Sequence, residues 1–379
     1  MTIVYGILCL GFLVFFHELG HFLAARAFGV AVESFSVGMG PVILHHTWGG
    51  TDYRLSLIPL GGYCGMKGQK DYPVAPNKGA EQESSAAVDK DSFYGVHPFK
   101  RLLIAFNGPF FNLIFAFIAY FIIALMGYTY YSAGTKVSMT SDTAEYATVP
   151  SPAKAAGMKS GDDIQSINGK KMNDFSDIVS YVSLHGDENI TITALRNGEL
   201  LTFTVHTGLD KSSGSGKLGI VSDSDSVIER TYPKHSFFPA IGEGLKQTGS
   251  MIGLSFKSIG ILFKGVDLTK TVSGPARITT MLGDTVKNGF SAGIHAGVVS
   301  TLEFLAILSI SLFIMNLLPI PVLDGGLILF SFIECITKRR ISPKVQFYVQ
   351  LIGIAFILLL LALALTGDIQ YFISQAKTK

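Results

Sequence analysis

Residues 3–30 read IVYGILCLGFLVFF-HELGH-FLAARAFGV, with His17-Glu18-Leu19-Gly20-His21 at the centre of the run. On a helix, two histidines four residues apart lie on one face and can share a metal ion, and HExxH in that setting is a zinc motif. The glutamate between them is placed to activate a zinc-bound water. The flanks are too apolar for a soluble protein and long enough for a membrane span, which needs roughly 20 apolar residues. A helix whose His and Glu make ordinary polar contacts is the alternative. It is a weak one, because ionisable groups at hydrocarbon depth are expensive and mark functional sites. Zinc hydrolysis of peptide bonds inside a bilayer is the chemistry this stretch points to.

Composition agrees. Of 379 residues, 48% are hydrophobic and 15% are charged, against about a quarter charged in an average soluble protein. The formal net charge of +2 offers no basic excess for nucleic acid. The three cysteines, Cys9, Cys64 and Cys335, form no CxxC pair, so a cysteine zinc site is not expected. The N-terminus lacks a basic n-region and an A-x-A site, so the first apolar run reads as a retained span.

The expected fold is a multi-span α-helical membrane protein of about four transmembrane helices, with a membrane-associated β-hairpin or sheet and one inserted α+β domain. Spans are expected at 1–30, 98–130, 297–330 and 345–367. Residues 31–66 read as a hairpin region, since Tyr53, Leu55 and Leu57 alternate with Arg54 and Ser56 before Gly61-Gly62 breaks the pattern. Residues 67–97 are polar with Pro73 and Pro76 and read as a flexible linker. Residues 140–225 have the composition of a soluble domain, with a helix at 175–183 and strands joined by an Asn197-Gly198 turn. Residues 236–296 read as an amphipathic juxtamembrane segment, lying on the membrane or packing on the soluble domain. Arg26, Arg54, Lys67, Lys100 and Arg101, then Lys338, Arg339, Arg340 and Lys344, put the loops after spans one and three in the cytoplasm. The soluble domain and both termini then lie outside.

A catalytic zinc takes three protein ligands and keeps one position open. Asp324, in Asn316-Leu-Leu-Pro-Ile-Pro-Val-Leu-Asp324-Gly325-Gly326, is the best candidate for the third. Its two prolines break the helix after span three, and broken backbone at membrane depth is tolerated only where protein or a water-filled cavity surrounds it. An interfacial Asp facing Lys338 or Arg339 is the other reading.

His17-Glu18-Leu19-Gly20-His21, Gly108-Pro109-Phe110-Phe111-Asn112 and the NxxPxPxLDG run from Asn316 to Gly325 occur in that order. Together they resemble the site-2 proteases of the bacterial RseP type, the intramembrane zinc metalloproteases. The likeness covers nearly the whole chain and includes Val32–Gly38 and Ser273-Gly274-Pro275. It implies His17, His21 and Asp324 as ligands of one zinc ion per chain and Glu18 as catalytic base. It also implies that Asn112 and Asn316 hold substrate or polarise its carbonyl. An exposed edge over Tyr53, Arg54, Leu55, Ser56, Leu57 and Ile58 could pair with unwound substrate by strand addition. The segment from Ala155 to Gly169 resembles a bacterial PDZ domain, with room in the chain for only one.

The resemblance implies cleavage of single-span membrane proteins, anti-sigma factors or remnant signal peptides, after a prior cut by a site-1 protease. The setting would be a bacterial inner membrane, with lipid as a further partner. Two readings of other classes stand beside it. A non-catalytic PDZ membrane adaptor would not need Glu18, and a transporter relaying protons through His17, Glu18 and Asp324 would hold no zinc.

Overall fold

The computed structural model describes residues 2–69, 89–142, 149–210, 214–223, 226–261 and 273–378. Most of the segment read as a linker, 70–88, lies outside them. Helix α1 (Thr2–Ala27) is followed by β1 (Val32–Trp48), β2 (Thr51–Met66) and α2 (Pro98–Met126). Next come β3 (Tyr128–Ala133), β4 (Val137–Met139), α3 (Pro152–Ala155), β5 (Asp163–Ile167), β6 (Lys170–Lys171) and α4 (Phe175–Ser183). Strands β7 (Asn189–Arg196), β8 (Glu199–His206), β9 (Gly208–Leu209), β10 (Gly216–Lys217), β11 (Ile220–Ser222) and β12 (Val227–Tyr232) follow. The chain ends in α5 (Phe237–Ile261), α6 (Pro275–Ser291), α7 (Ile294–Leu317), α8 (Asp324–Thr337) and α9 (Pro343–Thr378).

Four of these are long and apolar enough to cross a bilayer: Thr2–Ala27, Pro98–Met126, Ile294–Leu317 and Lys344–Ile373. The chain is a multi-span helical membrane protein. It divides into two compact units, one holding all four spans and the other formed largely by Gly127–Lys234.

In the first unit, α1, α2, α6 and α7 pack pairwise through small residues, as membrane helices do when van der Waals packing drives association. A Cβ on Gly20 would overlap the Asn107 carbonyl of α2, and one on Gly6 would overlap the Thr279 carbonyl of α6. Helix α6 is therefore part of the bundle, with Thr279, Leu282, Gly283 and Val286 buried. Its N-terminus is capped by a carboxylate from α9. Asp368 Oδ1 accepts from Gly274 N–H at 2.8 Å, and Oδ2 accepts from Ala276 and Arg277 N–H at 3.0 and 3.3 Å. A side chain on Gly274 would strike that carboxylate. Helix α5 touches the bundle at its start, where Phe237 packs edge-on against Phe121 of α2 at 5.4 Å. His235 N–H also reaches the Ala124 carbonyl at 2.8 Å. The region 297–330 holds two helices, α7 and the start of α8, separated at the two prolines. A buried ion pair from Arg101 to Glu334 ties the start of α2 to the end of α8.

The sheet of β1 and β2 departs from a simple hairpin. Both strands are long and bent, so each pairs more than once. Phe35 pairs with Cys64 and with Tyr53; Tyr53 pairs with Phe35 and with His46; Leu55 pairs with Val37 and with Leu44. Tyr53, Arg54 and Leu55 thus lie inside the sheet with neighbours on both sides, so the expected open edge is absent at 53–55, while Ser56 and Ile58 pair on one side only, with Val42 and Met39. In the ladder register the outer segments are 44–48 and 62–66. Local alternation cannot reveal this order, because it depends on where β1 bends.

The second unit has its own core, including Val137, Met139, Met158, Ile164, Ile167, Ile178, Ile190, Ile192 and Val205. Its four-stranded sheet runs β6-β5-β7-β8. The Asn197-Gly198 turn forms as read, with φ of 51° and 87°, both positive as a two-residue type I′ hairpin requires. Gly157 and Gly161 also take positive φ, 91° and 96°, in the loop where Arg196 bonds Asp162 Oδ1 at 2.7 Å and Oδ2 at 2.8 Å.

Candidate metal centre

His17 and His21 stand one turn apart on α1, their rings edge to face with centroids 4.9 Å apart. Their Nε2 atoms are 3.3 Å apart. Asp324, the first residue of α8, completes a triangle: Oδ2 lies 3.1 Å from His17 Nε2 and Oδ1 lies 3.2 Å from His21 Nε2. All three side chains are largely shielded, at 9–14% exposure. Asp324 therefore faces the imidazoles, not the basic loop after α8. Ligands bound at about 2.0–2.1 Å in a tetrahedron lie roughly 3.3 Å apart, so these separations match three corners of such a site. Two imidazole nitrogens and one carboxylate are also the donor set of a catalytic zinc, with the fourth corner open. Among the described residues this is the His/Cys/Asp/Glu cluster whose donor atoms converge, within 4.8 Å of one another.

The break that delivers Asp324 is local chemistry. Pro319 and Pro321 lack N–H donors, so the helix cannot continue past Leu317. Val322 sits at φ 91°, a conformation that a β-branched residue adopts only under strain of about 1–3 kcal/mol. A Cβ on Gly325 or Gly326 would overlap the carbonyls of Leu318 or Ile320, so only glycine lets α8 start so close beneath the turn.

Helix α2 supplies the surroundings. His21 Nδ1–H donates to the Ile104 carbonyl at 2.9 Å, which leaves the Nε2 lone pair facing Asp324 and the open corner. Gly108 lies directly over the ring, where a Cβ would overlap His21 Nε2. Pro109 sits within the helix and has no N–H for the turn before it. Asn112, fully buried, reaches His17 Nδ1 at 3.1 Å. Glu18 faces the sheet: a Cβ on Gly62 would come within 3.3 Å of its Cγ.

The sequence pattern of Peptidase family M50 matches residues 5–360. A candidate zinc metalloprotease of Treponema pallidum is 33% identical over 98% of this chain and 99% of its own length. Another, from Campylobacter jejuni, is 34% identical over 97% of this chain and 93% of its own. A third, from Bartonella henselae, is 31% identical over 94% and 98%. The chain belongs to peptidase family M50. With the HExxH motif on a span and a third donor beside it, this M50 protein is a zinc metalloendopeptidase of the intramembrane, site-2 type.

The remaining anticipated site residues separate. Asn316 is half-buried in the last turn of α7, one residue before the break. Leu55, Leu57 and Ile58 are exposed and Ser56 is buried against Ser36, with the two hydroxyls 3.0 Å apart. Sequence reasoning missed Ile104, whose carbonyl orients His21, and Ser309, whose hydroxyl donates to the Asn112 carbonyl at 2.8 Å. Neither carries a signal in its side-chain type, since one acts through its backbone and serine is common in spans. It also missed Gly62, where the glycine doublet was readable but its neighbour was not.

Proposed function

We propose that this M50 peptidase cuts single-span membrane proteins within the bilayer, using one zinc ion per chain held by His17, His21 and Asp324, with Glu18 as general base. The observation that carries the reading is the convergence of the two α1 imidazoles and the α8 carboxylate at tetrahedral separations, beside a glutamate one residue from the first imidazole. Zinc bound there would polarise the scissile carbonyl and acidify the attacking water. Glu18 takes the proton from that water and returns it to the leaving amine. Asp324 and the two histidines keep their donor atoms aimed at one point, and the bundle around them excludes bulk water. Asn316, at the edge of the break, orients the substrate.

A helical substrate shields its own carbonyls and must unwind before attack. We place the unwound segment beside Gly62 and Tyr63, because Gly62 is the residue of the sheet packed against Glu18. Tyr53, Arg54 and Leu55 then support this segment from within the sheet and do not pair with substrate. The exposed Val42, Ile43, Leu44 and Trp48 give the sheet an apolar rim suited to lipid. The basic residues after spans one and three put those loops in the cytoplasm of a bacterial inner membrane, with both termini and the 127–234 unit outside. That unit acts as a single PDZ domain. Substrates of the anti-sigma or remnant signal-peptide type, already trimmed by a site-1 protease, fit a site that needs a short, unwindable span.

Glu18→Gln tests the reading. The variant should retain zinc by elemental analysis and lose cleavage of a model span by at least about a hundredfold. Proteolysis at the unchanged rate would remove Glu18 from the mechanism.

A further inference from the structure

We infer that Asn112 is a positioning residue for His17, whose side-chain amide follows the ring proton when metal binds. The inference rests on His17 being a zinc ligand, and it replaces a substrate-holding role for Asn112. Asn112 is fully buried. Its Nδ2 lies 3.1 Å from His17 Nδ1, and its Oδ1 is buried with no hydrogen-bond partner. Its backbone cannot drift, because the Ser309 hydroxyl of α7 donates to the Asn112 carbonyl at 2.8 Å and Ser309 is itself fully buried.

The two histidines have partners of different kinds. His21 faces the Ile104 carbonyl, which can only accept, so the proton of the neutral ring is held on Nδ1 whatever occupies the centre. His17 faces an amide, which accepts through one atom and donates through the other. With Nδ2 facing it, His17 Nδ1 can only accept, which leaves the ring proton on Nε2, 3.1 Å from Asp324 Oδ2. A metal at Nε2 takes that lone pair, so the proton must sit on Nδ1, where Nδ2–H would oppose it. A half-turn of the amide exchanges its nitrogen and oxygen, which are interchangeable in shape. The buried Oδ1 then accepts from Nδ1–H and holds the ring for ligation. Partners of this kind typically change metal affinity 10–100-fold when removed.

The test uses the full chain in detergent, with the zinc dissociation constant measured by chelator competition. Asn112→Leu keeps the volume but removes both functions, and should weaken zinc about 10–100-fold while the zinc-free protein melts where the wild type does. Asn112→Asp supplies an acceptor at the same place and should bind zinc within about threefold of wild type. At saturating zinc, both variants should show a near-native KM, because the amide does not touch substrate. Wild-type zinc affinity in Asn112→Leu, or equal loss in Asn112→Leu and Asn112→Asp, would overturn the inference. His17→Ala separates the two levels of the argument. If it keeps wild-type zinc affinity, His17 is no ligand, and the reading beneath this one fails with it.

Discussion

Gly108 shows how much of the metal centre is decided by a missing side chain. It lies against His21 Nε2 with no room for a Cβ. In a helix interior Gly→Ala ordinarily adds about 0.5–1 kcal/mol of stability. Gly108→Ala should do the reverse for function: zinc retained after dialysis should fall at least about tenfold, because the ring is pushed off its line to Asp324. Elemental analysis beside a melting curve separates this displacement from unfolding. The two histidines were legible as residues, because few side chains bind zinc and their spacing is distinctive, and Asp324 was legible through its place in the NxxPxPxLDG run. The roles of Gly20, Gly108 and Gly62 were not. A glycine is written the same way whether it faces lipid, a turn or an imidazole, and only the neighbour's position distinguishes them.

Among the elements, α6 and α9 depend on one carboxylate. Asp368 reaches three N–H groups at the start of α6, which would otherwise be unsatisfied at a helix N-terminus. Asp368→Ala should destabilise the bundle by about 1–2 kcal/mol, read as a lower melting temperature in detergent. Gly274→Ala should cost a comparable amount by displacing the same carboxylate. A melting temperature unchanged in both would show that the cap contributes nothing. The Ser273-Gly274-Pro275 signature was visible in the sequence, but its partner lies on α9 and has no local mark. The sheet order was hidden for a related reason. Period-2 alternation identifies strands but carries no information about which strand lies outside, so Tyr53–Ile58 reads as an edge although Phe35 and His46 flank Tyr53. Spans were the easiest elements to read, because lipid forces backbone hydrogen bonds inside a helix and the length follows from bilayer thickness.

At the scale of the whole molecule, the 127–234 unit carries its own acid sensitivity. Burial would raise the Asp162 carboxyl, but the Arg196 guanidinium and the Lys159 N–H outweigh it and hold the group below the usual carboxylate range. A carboxylate with a lowered folded pKa contributes stability above its unfolded value of about 3.9 and loses it as pH falls through the folded value. Asp162→Asn should therefore weaken the unit by about 1–3 kcal/mol at pH 7. The difference from wild type should narrow as the medium is acidified below about pH 4. Hydrogen exchange of the β5, β7 and β8 amides reads this without reference to the spans, and a difference that does not vary with pH would contradict it. The separation of the donors along the chain has a further consequence. His17 and His21 emerge from the ribosome before Asp324, which follows only after α2 and α7 have been made. On the reading proposed here, a nascent molecule threading through the translocon is a harmless passenger among its membrane neighbours, and it acquires teeth only once α8 has followed α7.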